Sequence, residues 1–251
     1  MKLKKFMLTL ACMVMVACVS FGFMGCGNTT TLKDAQNYVK GASVDESFTN
    51  GIVFNFQLAG TEMSGEMTYD EDGNMKEIHA QYTDEEQSFE LWKVDNIVYL
   101  DNGEAKLLLT EETLENNEEY AIYRDGLADV TERGDEITTE YVFEMLTQMD
   151  MMQGFFDNSK LNVTKKENGK ITTFDINLKY SYEDEETNQK VNMSFTTSLT
   201  FNNKKLTKVV TNTYGDEEGV MYMSYEGFSG TISAPENAEE FVEPSTEIEG
   251  E

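Results

Sequence analysis

The chain has 251 residues, with 19 lysines and arginines against 47 aspartates and glutamates, a net charge of −28. A surface of that sign repels phosphate backbones, which excludes nucleic-acid binding. All 3 cysteines, Cys12, Cys18 and Cys26, fall within the first 26 residues, so the body of the chain has neither thiol nor disulfide. At this size a chain buries roughly 70% of its surface without such staples.

Lys2, Lys4 and Lys5 precede an uncharged stretch from Phe6 to Met24 rich in Met, Val, Leu and Phe, the order of a basic n-region and an apolar h-region. A spanning helix takes roughly 20 apolar residues, so a retained N-terminal anchor is the alternative to cleavage. Gly25 before Cys26, and the abrupt polarity of Gly27 to Thr31 behind it, resemble the lipobox of bacterial lipoproteins. Phe23 and Met24 depart from that pattern, in which Leu and a small residue are commoner at these places. Cys18 is the rival site, but the apolar run continues through Val19 to Phe23 behind it.

The resemblance implies a signal peptide over residues 1–25, diacylglycerol on the Cys26 thiol, and attachment to the outer face of the cell membrane. Two acyl chains hold stably where one is marginal, because burial adds about 0.8 kcal/mol per methylene. Loss of the leader leaves 16 basic against 47 acidic residues, a net of −31. Solubility at a crowded surface accounts for acids spread in this way.

Residues 26–46 are expected to be a tether and a short helix, Leu32 to Lys40, capped by Thr31 and closed by Gly41. A single β-rich domain is expected over residues 47–235. Ile52, Phe54, Phe56 and Leu58 alternate with Val53, Asn55 and Gln57, which places one apolar face on a half-buried strand. Met63, Gly65, Met67 and Tyr69 share one face of the next strand, which turns at Asp70-Glu71-Asp72-Gly73 and returns through Asn74 to Thr83. Strands at Ser88 to Val94 and Ile97 to Leu100 are joined by Asp95-Asn96, and Asn102-Gly103 leads into Ala105 to Leu109.

The acidic stretch from Thr110 to Val130 reads as loop with a short helix. From Thr138 to Phe156 the period becomes helical, with Tyr141, Met145, Met149, Met152 and Phe156 in one stripe. Alternation then returns in Phe174 to Tyr182 and in Val191 to Phe201, with a turn at Asn202-Asn203 into Leu206 to Tyr214. Gly215 to Gly219 turns the chain again into Val220 to Phe228. The tail, residues 236–251, is rich in Glu and is assigned as a disordered acidic segment, with disorder expected from about Val242.

Little in this sequence points to catalysis. His79 is the only histidine and shares the polar face of its strand with Gln81, whereas triads and zinc sites need an oriented imidazole or several His and Cys ligands. Asp70, Asp72 and Asn74 hint at a calcium loop, but Met75 stands where the sharp turn needs Gly and Gln81 where a bidentate Glu is needed. The segment therefore reads as a polar hairpin turn. No phosphate loop or dinucleotide fingerprint occurs, the single Trp92 argues against a sugar platform, and paired carboxylates for hydrolysis are recognised only in space.

A lipoprotein-like leader, two meanders of one-sided strands, a helix between them and a closing Ser229 to Pro235 resemble the Gram-positive lipoproteins of the LolA and LppX type. The resemblance implies an α+β, mainly antiparallel fold: a curved open sheet, or half-barrel, covered by one or more helices. It implies no catalytic residue and no cofactor, and a cavity between sheet and helix that takes a lipid or other apolar ligand. The stripe of Tyr141, Met145, Met149, Met152 and Phe156 would face that cavity, Met being suited to adaptable apolar surfaces. Ordinary packing of helix on sheet is the plainer account of the same stripe. The competing functions are a structural or protein-interaction module of the cell envelope and a hydrolase using paired acids.

Overall fold

The structure, a computed structural model, describes residues 28–58, 60–85, 87–117, 120, 137–156, 158–183, 190–215 and 221–244. The leader, Cys26, the tail beyond Pro244 and most of the acidic stretch after Asn117 lie outside the described residues. The fold is α+β and mainly antiparallel: 13 strands form one open sheet.

In chain order the strands are β1 (Asn28–Thr30), β2 (Ser43–Val44), β3 (Gly51–Leu58), β4 (Thr61–Tyr69), β5 (Met75–Thr83), β6 (Ser88–Val94), β7 (Ile97–Asp101) and β8 (Lys106–Leu109). Then come β9 (Lys160–Asn168), β10 (Ile171–Glu183), β11 (Lys190–Asn202), β12 (Lys205–Gly215) and β13 (Met221–Gly227). The helices are α1 (Leu32–Lys40), α2 (Glu46–Asn50), α3 (Glu111–Asn116) and α4 (Thr139–Phe155). Strands β3 to β8 make one meander and β9 to β13 the other, joined where β13 pairs antiparallel with β3. Strand β1 forms one edge against β9, β8 the other, and β2 adds a short parallel pairing to β12.

Strong turn chemistry fixes the register. Asp95 and Asn96 both take positive φ between β6 and β7, the two-residue turn whose twist suits a hairpin. The β11–β12 turn has the same form, but its left-handed pair is Asn203 and Lys204, one residue later than the sequence suggests. Two bulges interrupt the alternation. Tyr69 pairs with Met75 and Thr68 with Glu77, while Phe201 pairs with Leu206 and Thr200 with Lys208. Each leaves an extra residue, Lys76 or Thr207, so the buried phase steps from Met75 to Ile78 and from Leu206 to Val209.

One face of the sheet carries most of the core. Phe174, Leu199, Val209, Tyr225, Phe54, Gly65, Ala80, Leu91 and Leu100 lie in one cross-strand row running through nine strands. Helices α1 and α4 pack together and contribute Leu32, Ala35, Val39, Val142, Leu146 and Met149 to the same cluster. The cap of α1 is reciprocal, the Thr31 hydroxyl accepting from the Asp34 amide at 3.1 Å and the Asp34 carboxylate accepting from the Thr31 amide at 3.1 Å.

Within residues 26–46, expected as tether and short helix, the helix is present as α1, and Asn28 to Thr30 before it pair with Lys165 to Val163 as an edge strand. One expectation is corrected. The tail is not disordered from Glu236: Ala238–Glu240 form a 3₁₀ turn and Phe241 is buried. Val242 bonds both ways to the edge strand β8, Leu108 N–H to Val242 O at 2.8 Å and Val242 N–H to Lys106 O at 3.1 Å. Acidic composition lost to one well-placed aromatic and a free strand edge.

Candidate functional site

Helix α4 is the element through which the sheet face is reached from the helical side. Thr138 starts it, its hydroxyl accepting from the Tyr141 amide at 3.0 Å. The centre of its buried face is Val142, Leu146 and Met149. Tyr141, Met145 and Met152 flank that line, half-buried against the same core, so only Met149 of the anticipated stripe sits at its middle. Phe156 stands just past the helix end and stacks on Tyr180 of β10 with ring centroids 4.4 Å apart. The sequence signal for Val142 and Leu146 was present in their spacing to Met149, which with Met145 and Met152 gives a face wider than one stripe.

On the same face of the sheet, the row next to Phe174 and Leu199 runs Val163, Ile176, Thr197, Thr211, Met223, Phe56 and Met63. It is apolar except at its centre. Thr197 and Thr211 face each other across β11 and β12, both are buried, and among the described residues neither hydroxyl has a hydrogen-bond partner. A buried hydroxyl left unmade costs about 1–3 kcal/mol, so two side by side ask for a polar group that can sit between them. Sequence reasoning placed Thr197 in phase with the buried residues but gave it no role.

The opposite face holds a polar and aromatic cluster. His79 stacks on Trp92 with ring centroids 4.9 Å apart and planes inclined by 5°. Its Nε2 lies 2.7 Å from a Glu90 oxygen and its Nδ1 3.4 Å from a Glu66 oxygen, as adjacent strands bring the three residues together. Among the described residues neither ring nitrogen meets a hydroxyl. Next to it, Phe241 packs edge-on against Trp92 and Tyr99, at 6.1 and 5.4 Å.

Asp70 is occupied by its own turn. Its carboxylate accepts from the amides of Asp72 and Asn74, each at 2.9 Å, and from the Asn74 side chain. Those bonds, the Asn74 side chain first, hold the Asp70 carboxyl below its ordinary range. This is the polar hairpin turn expected of Asp70 to Asn74. No group of His, Cys, Asp and Glu among the described residues is arranged to hold a metal ion, and no helix among them is long and apolar enough to cross a membrane.

Comparison with protein-family models, with curated proteins and with solved structures finds no match to this chain.

Proposed function

We propose that the chain is a lipid-anchored, extracytoplasmic lipoprotein that carries out no chemistry of its own and receives an apolar or amphiphilic ligand between its sheet and helix α4, in the manner of LolA and LppX type half-barrels. The observation that carries the ligand reading is the Thr197–Thr211 pair, two hydroxyls without a partner among the described residues in the middle of an apolar row. An amphiphile answers that arrangement: its tail meets Met, Phe and Leu, and one polar group meets the hydroxyls. The half-buried Met145 and Met152 at the flank of α4 are the side chains that adjust most easily to such a guest. The anchoring reading rests on the n-region, the apolar run and Gly25-Cys26 in the sequence.

Two measurements test the two halves. Intact mass of the N-terminal peptide from protein made in a bacterial host should show a chain beginning at an acylated Cys26, and Cys26→Ser should release the protein from the membrane fraction. A peptide beginning at Met1 with no acyl mass rejects that half. Native mass spectrometry of the gently purified protein should show a noncovalent lipid-sized adduct that Thr197→Val with Thr211→Val diminishes. A folded protein that takes up no such molecule from added lipid rejects the ligand half and leaves an envelope interaction module.

A further inference from the structure

Charge is unevenly placed along the sheet. The end of the sheet at which β1 begins also holds the β9–β10 turn, the β11–β12 turn and the C-terminus of α1. These pieces are tied together: Asn203 N–H bonds Lys170 O at 2.9 Å, and Ser43 N–H bonds Lys204 O at 3.1 Å. Lys40, Lys170 and Lys204 project from them, all exposed and all without a carboxylate partner among the described residues. Lys204 and Lys165 also flank one ring, Tyr38, at 6.0 and 5.7 Å from its centroid. Ile171, 45% exposed, adds an apolar side chain beside Lys170. The acids at this end are paired, Glu167 with Lys165 at 2.7 Å and Glu46 with Lys205, so the three unpaired lysines are its net positive charge.

We propose that this basic corner, Lys40, Lys170 and Lys204 with Ile171 beside Lys170, rests on the anionic headgroups of the bilayer to which the chain is attached. The inference rests on the membrane attachment proposed above, through acyl chains on Cys26. Asn28 pairs with Lys165, only two residues beyond Cys26, and two extended residues reach about 7 Å. That is within the screening length of about 8 Å at physiological salt, so these lysines feel the headgroups. The acidic turn Asp70 to Asp72 lies six strand spacings from β9 on the same sheet end, roughly 30 Å away. Its repulsion is screened over that distance, and the domain stands on its basic corner with the acidic one away from the charge. The corner orients a protein that its anchor already holds.

Amine-reactive footprinting of the full-length, membrane-attached protein tests this. The protein is placed in vesicles of phosphatidylcholine alone or with a third of phosphatidylglycerol, and labelling of each lysine is read by mass spectrometry. Flotation with neutral vesicles reports attachment by itself. In anionic vesicles Lys40, Lys170 and Lys204 should label about fivefold more slowly, the gain expected for a lysine at such a surface. Lys160 and Lys190, at the other end of the sheet, should not change, and 1 M salt should abolish the difference. Protein that floats but labels equally in both vesicles overturns the inference while leaving attachment intact. Equal protection by soluble polyphosphate added to neutral vesicles also overturns it, pointing to an anionic polymer instead of the bilayer.

Discussion

Thr197 of β11 stands directly opposite Thr211 of β12, both side chains are buried, and among the described residues neither hydroxyl has a hydrogen-bond partner. Buried in this way, these groups have lost water and gained nothing. Thr197→Val and Thr211→Val replace each hydroxyl by a methyl of the same shape, and each should raise stability by about 1 kcal/mol in urea unfolding. A loss of that size would mean that the hydroxyls already hold an ordered water, and the case for a guest molecule would weaken.

The tightest backbone approach in the first meander is at Gly65. A Cβ there would sit 2.1 Å from the His79 carbonyl oxygen and 2.8 Å from the Ala80 Cα. Both are main-chain atoms on a paired strand and cannot rotate away, so Gly65→Ala must push β4 from β5. It should cost about 3 kcal/mol, at the upper end for overpacking. Gly154 in α4 is the contrast, since a Cβ there meets nothing within 4 Å. Gly154→Ala should stabilise by about 0.5–1 kcal/mol, the ordinary helix preference. Thermal melts of the two variants side by side check both signs.

How much of this was legible in the sequence differs from element to element. Strands such as β10 declared themselves because Phe174, Ile176 and Leu178 face the core while Asp175 and Asn177 face outward, so burial itself imposes a period of two. The cap on α1 was equally plain, since Thr31 and Asp34 are close in sequence. Bulges at Lys76 and Thr207 leave no mark in composition, and they shift the phase only after pairing has been chosen. His79 was placed on the polar face, but its partners Glu66 and Glu90 lie 13 and 11 residues away and become neighbours only through register. The Thr197–Thr211 pair is of the same kind: each residue alternates correctly, and the unmet hydroxyls arise only when β11 meets β12.

Titration should act at both ends of the pH scale. Burial, then the hydrogen bond to Asp84, pushes the Tyr82 phenol up to about 12 from the ordinary value of 10.0. The folded state then keeps a proton that the unfolded chain gives up, so this contribution is whole below pH 10 and disappears as the pH rises to about 12. In Tyr82→Phe that alkaline loss should be absent, with about 1 kcal/mol forfeited at neutral pH for the bond to Asp84. At the acid end, hydrogen bonds from Thr31 to Asp34 and from Ser47 to Asp45 hold those carboxyls below their ordinary range. Their contribution is present above the unfolded value and fades as pH falls through the folded one. Urea midpoints across the pH range, for the parent and Tyr82→Phe, separate the two limbs.

The C-terminal strap makes the sharpest claim about the far edge of the sheet. Phe241 is buried between Trp92 and Tyr99, Glu240 pairs with Lys106, and Val242 bonds to β8 on either side of Leu107. Strand β8 is only 4 residues long, and the strap covers the backbone groups it would otherwise present to another chain. Phe241→Ala removes an aromatic held by two edge-on rings and should cost about 3–5 kcal/mol, as other buried Phe truncations do. Trp92 is the chain's single tryptophan, so its emission should move to longer wavelength as water reaches the exposed ring. Because the strap guards an edge as well as filling a pocket, deletion after Glu240 should also make the protein associate in a concentration-dependent manner. Light scattering that stays monomeric after the deletion, together with unchanged Trp92 emission, would show that the strap is an ornament on a sheet already complete without it.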